Sequence, residues 1–172
     1  FDNAATAIKR KEILEYILKN KESFDGNPES THAMGRESKK ILEESRNKIA
    51  KSINANPKNI VFTSGATEAN NTVINSFKDG ETITTAIEHD SILNTVDKDR
   101  STLLSVDKDG LISLEDLKEN ISDKTKLVAV MYVNNETGSI EPIKEIGEYL
   151  EDKDVWFHVD AVQALSLIHI SE

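Results

Sequence analysis

The chain has 172 residues, a formal net charge of −10 and no cysteine; the length fits one domain of about 100–200 residues, and disulfides and zinc–thiolate sites are excluded among these residues. Charged residues make up 30% and apolar ones 37%, the balance of a folded globular protein and not of a disordered one. The acidic surplus, with no Lys/Arg cluster, argues against a nucleic-acid surface, and the longest apolar run, residues 127–133, is far shorter than the roughly 20 residues of a membrane helix.

The first residues carry no basic-then-apolar leader pattern. Residues 165–172 back-translate to a string that matches a transposon-derived adapter of sequencing libraries. Residues 166–172 are therefore expected to be an adapter-derived artefact, set apart from fold reasoning, with the gene product continuing past residue 165.

Ile13, Leu14, Ile17 and Leu18 keep a helical spacing in a charged background. Gly26-Asn27-Pro28 marks a loop. Ile41, Leu42, Ile49 and Ile53 predict a second helix that stops before Pro57, which cannot continue it. The short apolar run 60–63 reads as a buried strand, and Ala66, Ala69, Val73, Ile74 and Phe77 share the next helical face. Residues 82–87 are strand-like, with Asp90 expected to cap a short helix. Residues 102–106 form the next strand, and Ser113 with Asp116 starts a helix whose apolar face is Leu114, Leu117 and Ile121. Residues 127–133 are the strongest strand. Pro142 suits a first helical turn with Ile143, Ile146 and Leu150 facing inward, and 155–159 is the last strand. Strands alternating with helices predict an α/β fold: a mostly parallel sheet with helices on both faces, in three layers.

In such a sheet ligands bind beyond the carboxyl ends of the strands, where four polar clusters fall. Ser64-Gly65-Ala66-Thr67 enters a helix with small residues, either as a simple N-cap or as a cradle for a phosphate. His89, after Glu88, has three open roles: stacking on a ring, ligating a metal or filling a core hydrogen bond. No second His or Cys stands at ligand spacing, which disfavours a metal. Asn134 and Asn135 either stabilise a turn with Gly138 or bond something planar and polar. Asp160 leaves a buried strand and needs a partner, a basic side chain or a protonated ring nitrogen. Gln163 follows three positions later. His158, within the same strand, reads as structural.

Taken in order, Asp2-Asn-Ala-Ala-Thr6, Gly26-Asn-Pro-Glu-Ser-Thr-His32, Phe62-Thr-Ser-Gly-Ala-Thr-Glu-Ala-Asn-Asn71, Glu88-His89, Asn134-Asn-Glu-Thr-Gly138 and His158-Val-Asp-Ala-Val-Gln-Ala164 resemble the motifs of the cysteine desulfurase family. That family is the class V aminotransferase-like branch of fold-type-I enzymes dependent on pyridoxal 5'-phosphate. The resemblance implies that residues 1–20 contribute to a small domain and 21–165 form an incomplete cofactor-binding large domain. It implies that Ala66 and Thr67 hold the cofactor phosphate, that His89 stacks on the ring and moves protons, and that Asp160 pairs with the pyridinium nitrogen. Gln163 would bond the ring's phenolic oxygen, and Asn135 would sit beside cofactor and substrate carboxylate. The family reaction converts L-cysteine to L-alanine and leaves the sulfur as an enzyme persulfide for iron–sulfur cluster or thio-cofactor synthesis. The expected partners are L-cysteine, a second copy in a homodimer, and a sulfur-acceptor or scaffold protein, in the cytoplasm and without nucleic acid or membrane. The Schiff-base lysine is expected just beyond the cut at residue 165, and the acceptor cysteine and the substrate-gripping arginine further on, so the fragment alone is expected to be inactive. Selenocysteine lyase, an aminotransferase on the same scaffold and a non-catalytic phosphate-ligand domain remain the alternatives.

Overall fold

The computed structural model describes residue 6 and residues 8–165. The opening motif at residues 2–5 and the adapter expectation for residues 166–172 lie outside the described residues. The chain divides into two compact units, Phe1–Phe62 and Thr63–Glu172.

In the first unit, α1 (Lys11–Lys19) buries none of its residues, and Ile13, Leu14, Ile17 and Leu18 are exposed. Helix α2 (Ala33–Ser52) begins well before the apolar spacing that predicts it. Its first turns carry Gly35 and Ser38, both buried, and small residues leave no apolar signature. A Cβ on Gly35 would lie 2.3 Å from the Ser30 carbonyl oxygen, so only glycine lets the loop approach the helix this closely. The strand expected at 60–63 does not form. Among the described residues no neighbouring strand offers it a ladder, and Val61 is 78% exposed. The Ile60 carbonyl instead accepts a hydrogen bond from Arg46, whose guanidinium lies 4.9 Å from the centre of the Phe62 ring.

The second unit runs α3 (Ala66–Ser76), β1 (Glu81–Thr85), α4 (Asp90–Leu93), β2 (Ser101–Leu104), α5 (Leu114–Asn120), β3 (Thr125–Met131), α6 (Ile143–Leu150) and β4 (Trp156–Asp160). The four strands form one parallel sheet in the order β2-β1-β3-β4. Alternation along β3 decides the layers. Leu127 and Ala129 pack with Ile74 of α3 and Ile92 of α4. Val128 and Val130 pack on the other face with Leu117 of α5 and Ile146 and Leu150 of α6. Central β3 is covered on both faces, which is why it reads as an unbroken apolar run. The expected α/β fold with helices on both faces is the one found.

Local details differ from expectation where one residue changes partner. The cap of α4 is His89, whose Nδ1 accepts from the Ser91 N–H, and Asp90 is the first helical residue. Strand β2 stops at Leu104, and Val106 turns to an antiparallel bridge with Ile112. Ser113 does cap α5, its hydroxyl accepting from the Asp116 N–H. No helix of the described residues is long and apolar enough to cross a membrane.

Candidate functional site

Neighbouring parallel strands β1, β3 and β4 end side by side at Thr85, Met131 and Asp160, with Met131 paired to Asp160. The segments leaving them therefore start from one edge. Asn70 of α3, 3% exposed, ties that edge together. Its Nδ2 donates to Asp160 Oδ2 at 2.8 Å and to Ser91 Oγ at 2.9 Å. Its Oδ1 lies 2.9 Å from His158 Nε2. A carboxylate only accepts, so the amide nitrogen must face Asp160, the amide oxygen must face His158, and His158 carries its proton on Nε2. His158 and Asp160 are two apart in β4 and share the face toward α3. Burial holds the His158 pKa below the usual imidazole value, against the opposing charge of Asp160.

Asp160 is 8% exposed, and its second oxygen accepts from the Val162 N–H at 3.0 Å. None of the ion pairs among the described residues involves it. Its partners are thus an amide and a backbone N–H, and no basic side chain compensates its charge.

His89 lines an open cleft of about 400 Å³ with Glu88, Asn134, Asn135 and Thr137. Its Nδ1 is engaged by the Ser91 N–H at 3.0 Å and faces Ser91 Oγ at 2.9 Å, which leaves Nε2 as the exchangeable nitrogen. Asn134 is the turn-former: its Oδ1 accepts from the N–H groups of Glu136 and Thr137 at 2.8 and 2.9 Å. Its Nδ2 also donates across to the Ile87 carbonyl at 3.0 Å, joining the segments after β1 and β3. Gly138, at φ 75°, closes that turn. Half-buried Asn135 is displayed on the cleft wall.

Ala66 and Thr67 occupy the first turn of α3, whose cap residue Gly65 contributes no side-chain hydrogen bond. Ser64 donates from both its N–H and its hydroxyl to Glu68 at 2.6 Å, so the carboxylate of this turn is occupied by the residue before the cap. Thr67 is exposed and stands three residues before Asn70, on the same helix side. Half-buried Gln163 lies in the turn that leaves β4, where the Ala164 N–H donates to the Ala161 carbonyl at 3.0 Å. Of the six residues expected from the sequence, His89 and Asn135 line the cleft, whereas Ala66, Thr67, Asp160 and Gln163 do not; Asp160 ends β4, Gln163 follows it, and Ala66 and Thr67 open the helix whose Asn70 reaches Asp160.

Asn70, Ser91 and Glu88 were not assigned a role from the sequence. A signal for Asn70 does exist: it occupies the i−4 position before Ile74, an amide where the helix face is otherwise apolar. Replacing Asn70 with Leu strands Asp160 Oδ2 and the His158 N–H at once and leaves the Ser91 hydroxyl only its contact with His89. Urea unfolding is expected to show a loss of about 3 kcal/mol, since orphaned buried groups cost roughly 1–3 kcal/mol each and structure relaxes around some of them. An unchanged midpoint would show that Asn70 is not the tie.

The chain belongs to the aminotransferase class-V family, which it matches over residues 1–171. Within that breadth the resemblance is to desulfurases. The cysteine desulfurase IscS of Clostridium botulinum is 42% identical over 180 residues, covering 98% of this chain and 45% of that protein. A solved NifS-like protein matches at TM-score 0.89 and 34% identity, over 95% of this chain and 49% of its own. The structure of SspA in complex with cysteine matches at TM-score 0.86 and 33% identity, over 92% of this chain and 49% of its own. The chain spans about half the length of the curated relatives it matches.

Proposed function

We propose that this edge holds pyridoxal 5'-phosphate and that the chain supplies the cofactor-binding part of a cysteine desulfurase. The observation that carries the reading is Asp160, a buried carboxylate oriented by Asn70 and by the Val162 N–H and in no ion pair among the described residues. A buried charge of that kind is costly unless a partner arrives, and a protonated pyridine nitrogen is such a partner. The other donors fit the same group. The first-turn N–H groups of α3, with no side-chain cap, suit a phosphate. The His89 ring lies on the cleft wall for stacking.

In this reading Ala66 and Thr67 hold the phosphate, Gln163 bonds the ring oxygen, and Asn135 serves ring and substrate carboxylate. When bound, the cofactor supplies a sink for the electron pair released at the substrate α-carbon. Asp160 keeps that sink effective by holding the ring nitrogen protonated. With Nδ1 engaged by Ser91, His89 takes up or delivers protons at Nε2. Asn70 bonds both Asp160 and Ser91, so one helix residue orients the group that holds the ring and the group that moves the proton.

The same reading makes residues 21–165 the large domain and 1–20 part of a small one. It places the Schiff-base lysine and the sulfur-accepting thiol outside these residues, which contain no cysteine. It assigns L-cysteine as substrate and a homodimer as the working form, delivering sulfur to an acceptor or scaffold protein in the cytoplasm. The test compares the 172-residue chain with a protein extended to the length of its relatives, each given pyridoxal phosphate and L-cysteine. Alanine and reducible sulfur in equal amounts from the extended protein alone are expected. An extended protein that transfers amino groups and yields no sulfur would contradict the reading.

A further inference from the structure

Glu88 precedes His89 in sequence, yet its side chain turns away from solvent and is 5% exposed. Its Oε1 accepts two hydrogen bonds at 2.8 Å, one from Thr85 Oγ1 at the end of β1 and one from the Met131 N–H at the end of β3. Its Oε2 is sealed with no partner. One carboxyl group thus spans the two central strands where the site-bearing segments leave them. The Asn134 to Ile87 hydrogen bond crosses the same gap one step outward.

We propose that Glu88 is a positioning residue of the site: its carboxyl group pins the end of β1 to the end of β3 and so sets where His89 and the Asn134–Asn135 turn meet the cleft. Its consequence for catalysis rests on the cofactor reading above, whereas the pin is a property of the chain itself. Its buried surroundings favour the uncharged form, whereas the two pin hydrogen bonds favour the charged one. Burial raises the Glu88 pKa to about 7, the repulsion of Asp160 and Glu141 adds to the rise, and the hydrogen bonds from Met131 and Thr85 oppose it. The titratable groups around it are Asp160 at the end of β4, Glu141 beyond the β3 turn, and His89, Asp90 and Glu136 along the cleft. Ionised, Glu88 carries charge on a sealed oxygen that no donor reaches, so the strand ends must part or admit water.

The test follows a ¹³C-labelled Glu88 carboxyl from about pH 5 to about pH 9, beside the backbone amides of Met131 and Asn135. Glu88 is expected to titrate near neutrality, with the Met131 and Asn135 amide signals sharing its midpoint. Pyridoxamine 5'-phosphate, which forms no Schiff base with lysine, is the binding probe. Its affinity is expected to fall severalfold above that midpoint in the wild-type chain. Glu88→Gln keeps a neutral acceptor for Thr85 and Met131 and should lose that step. A Glu88 that ionises like a free side chain, or whose ionisation leaves the Met131 and Asn135 amides unmoved, overturns the role, and the wild-type titration decides this even where the variant does not fold. If the probe binds neither protein, the cofactor reading fails, and the Met131 and Asn135 amides still decide the pin.

Discussion

Asp160→Ala in the extended enzyme is expected to lower turnover on the order of 10²–10³-fold, the usual cost of removing one preorganised electrostatic stabiliser. Cofactor affinity is expected to fall only about tenfold, because one charge-assisted hydrogen bond is lost while the phosphate contacts at α3 remain. The asymmetry is the point. A residue that merely anchors the ring would move binding and turnover together, whereas one that holds the ring nitrogen protonated acts mostly on the charge developing in the reaction. Asp160→Asn separates the two further: it keeps the size and a hydrogen-bonding group beside Asn70 but removes the charge, and it should resemble Ala in turnover. Steady-state rates and cofactor titration check both variants, and near-normal turnover in Asp160→Ala would refute the role.

What the sequence makes legible here is what local chemistry decides. The Ser113 cap, the double-faced apolar run of β3 and the Pro142 entry to α6 each follow from neighbours within a few positions, and each is found. The run at 60–63 has the same apolar composition as a strand, but a strand exists only where a ladder partner lies beside it, and pairing is not a local property. The cap of α4 falls on His89 instead of Asp90 because an imidazole nitrogen accepts as well as a carboxylate does. The site divides in the same way. Residues that follow strands could be placed on one edge from topology alone. Asn70 could not, since its partners are 21 and 90 residues away. Nor could the burial of Glu88, whose hydrogen-bond partner Met131 lies 43 residues on.

The pH dependence of stability carries the second large effect. Glu88 has a folded pKa of about 7 against 4.5 for an unperturbed glutamate. Between those values the folded chain keeps a proton that the unfolded chain has released, so stability falls as pH rises. The contribution is complete below about pH 4.5 and exhausted above about pH 7, and its full span is about 3 kcal/mol. Glu141, also raised by burial, acts in the same direction. His158, lowered by burial, acts oppositely, removing stability as pH falls through the imidazole range. Both are common to wild type and Glu88→Gln and cancel when the two profiles are compared. Urea unfolding from pH about 5 to about 8 should show wild type losing about 2.5 kcal/mol more than Glu88→Gln. Parallel profiles would mean that Glu88 is not the buried acid.

The proposed role of Asp160, to hold the cofactor's ring nitrogen protonated, has a direct readout. It is tested most directly by binding pyridoxal phosphate labelled with ¹⁵N at the ring nitrogen to the extended protein and reading the nitrogen resonance across neutral pH. A protonated nitrogen that persists to a pH well above that of the free cofactor, and is lost in Asp160→Ala, is the expected result. An unprotonated ring nitrogen at neutral pH in the wild-type protein, or a protonated one that survives removal of Asp160, would contradict it.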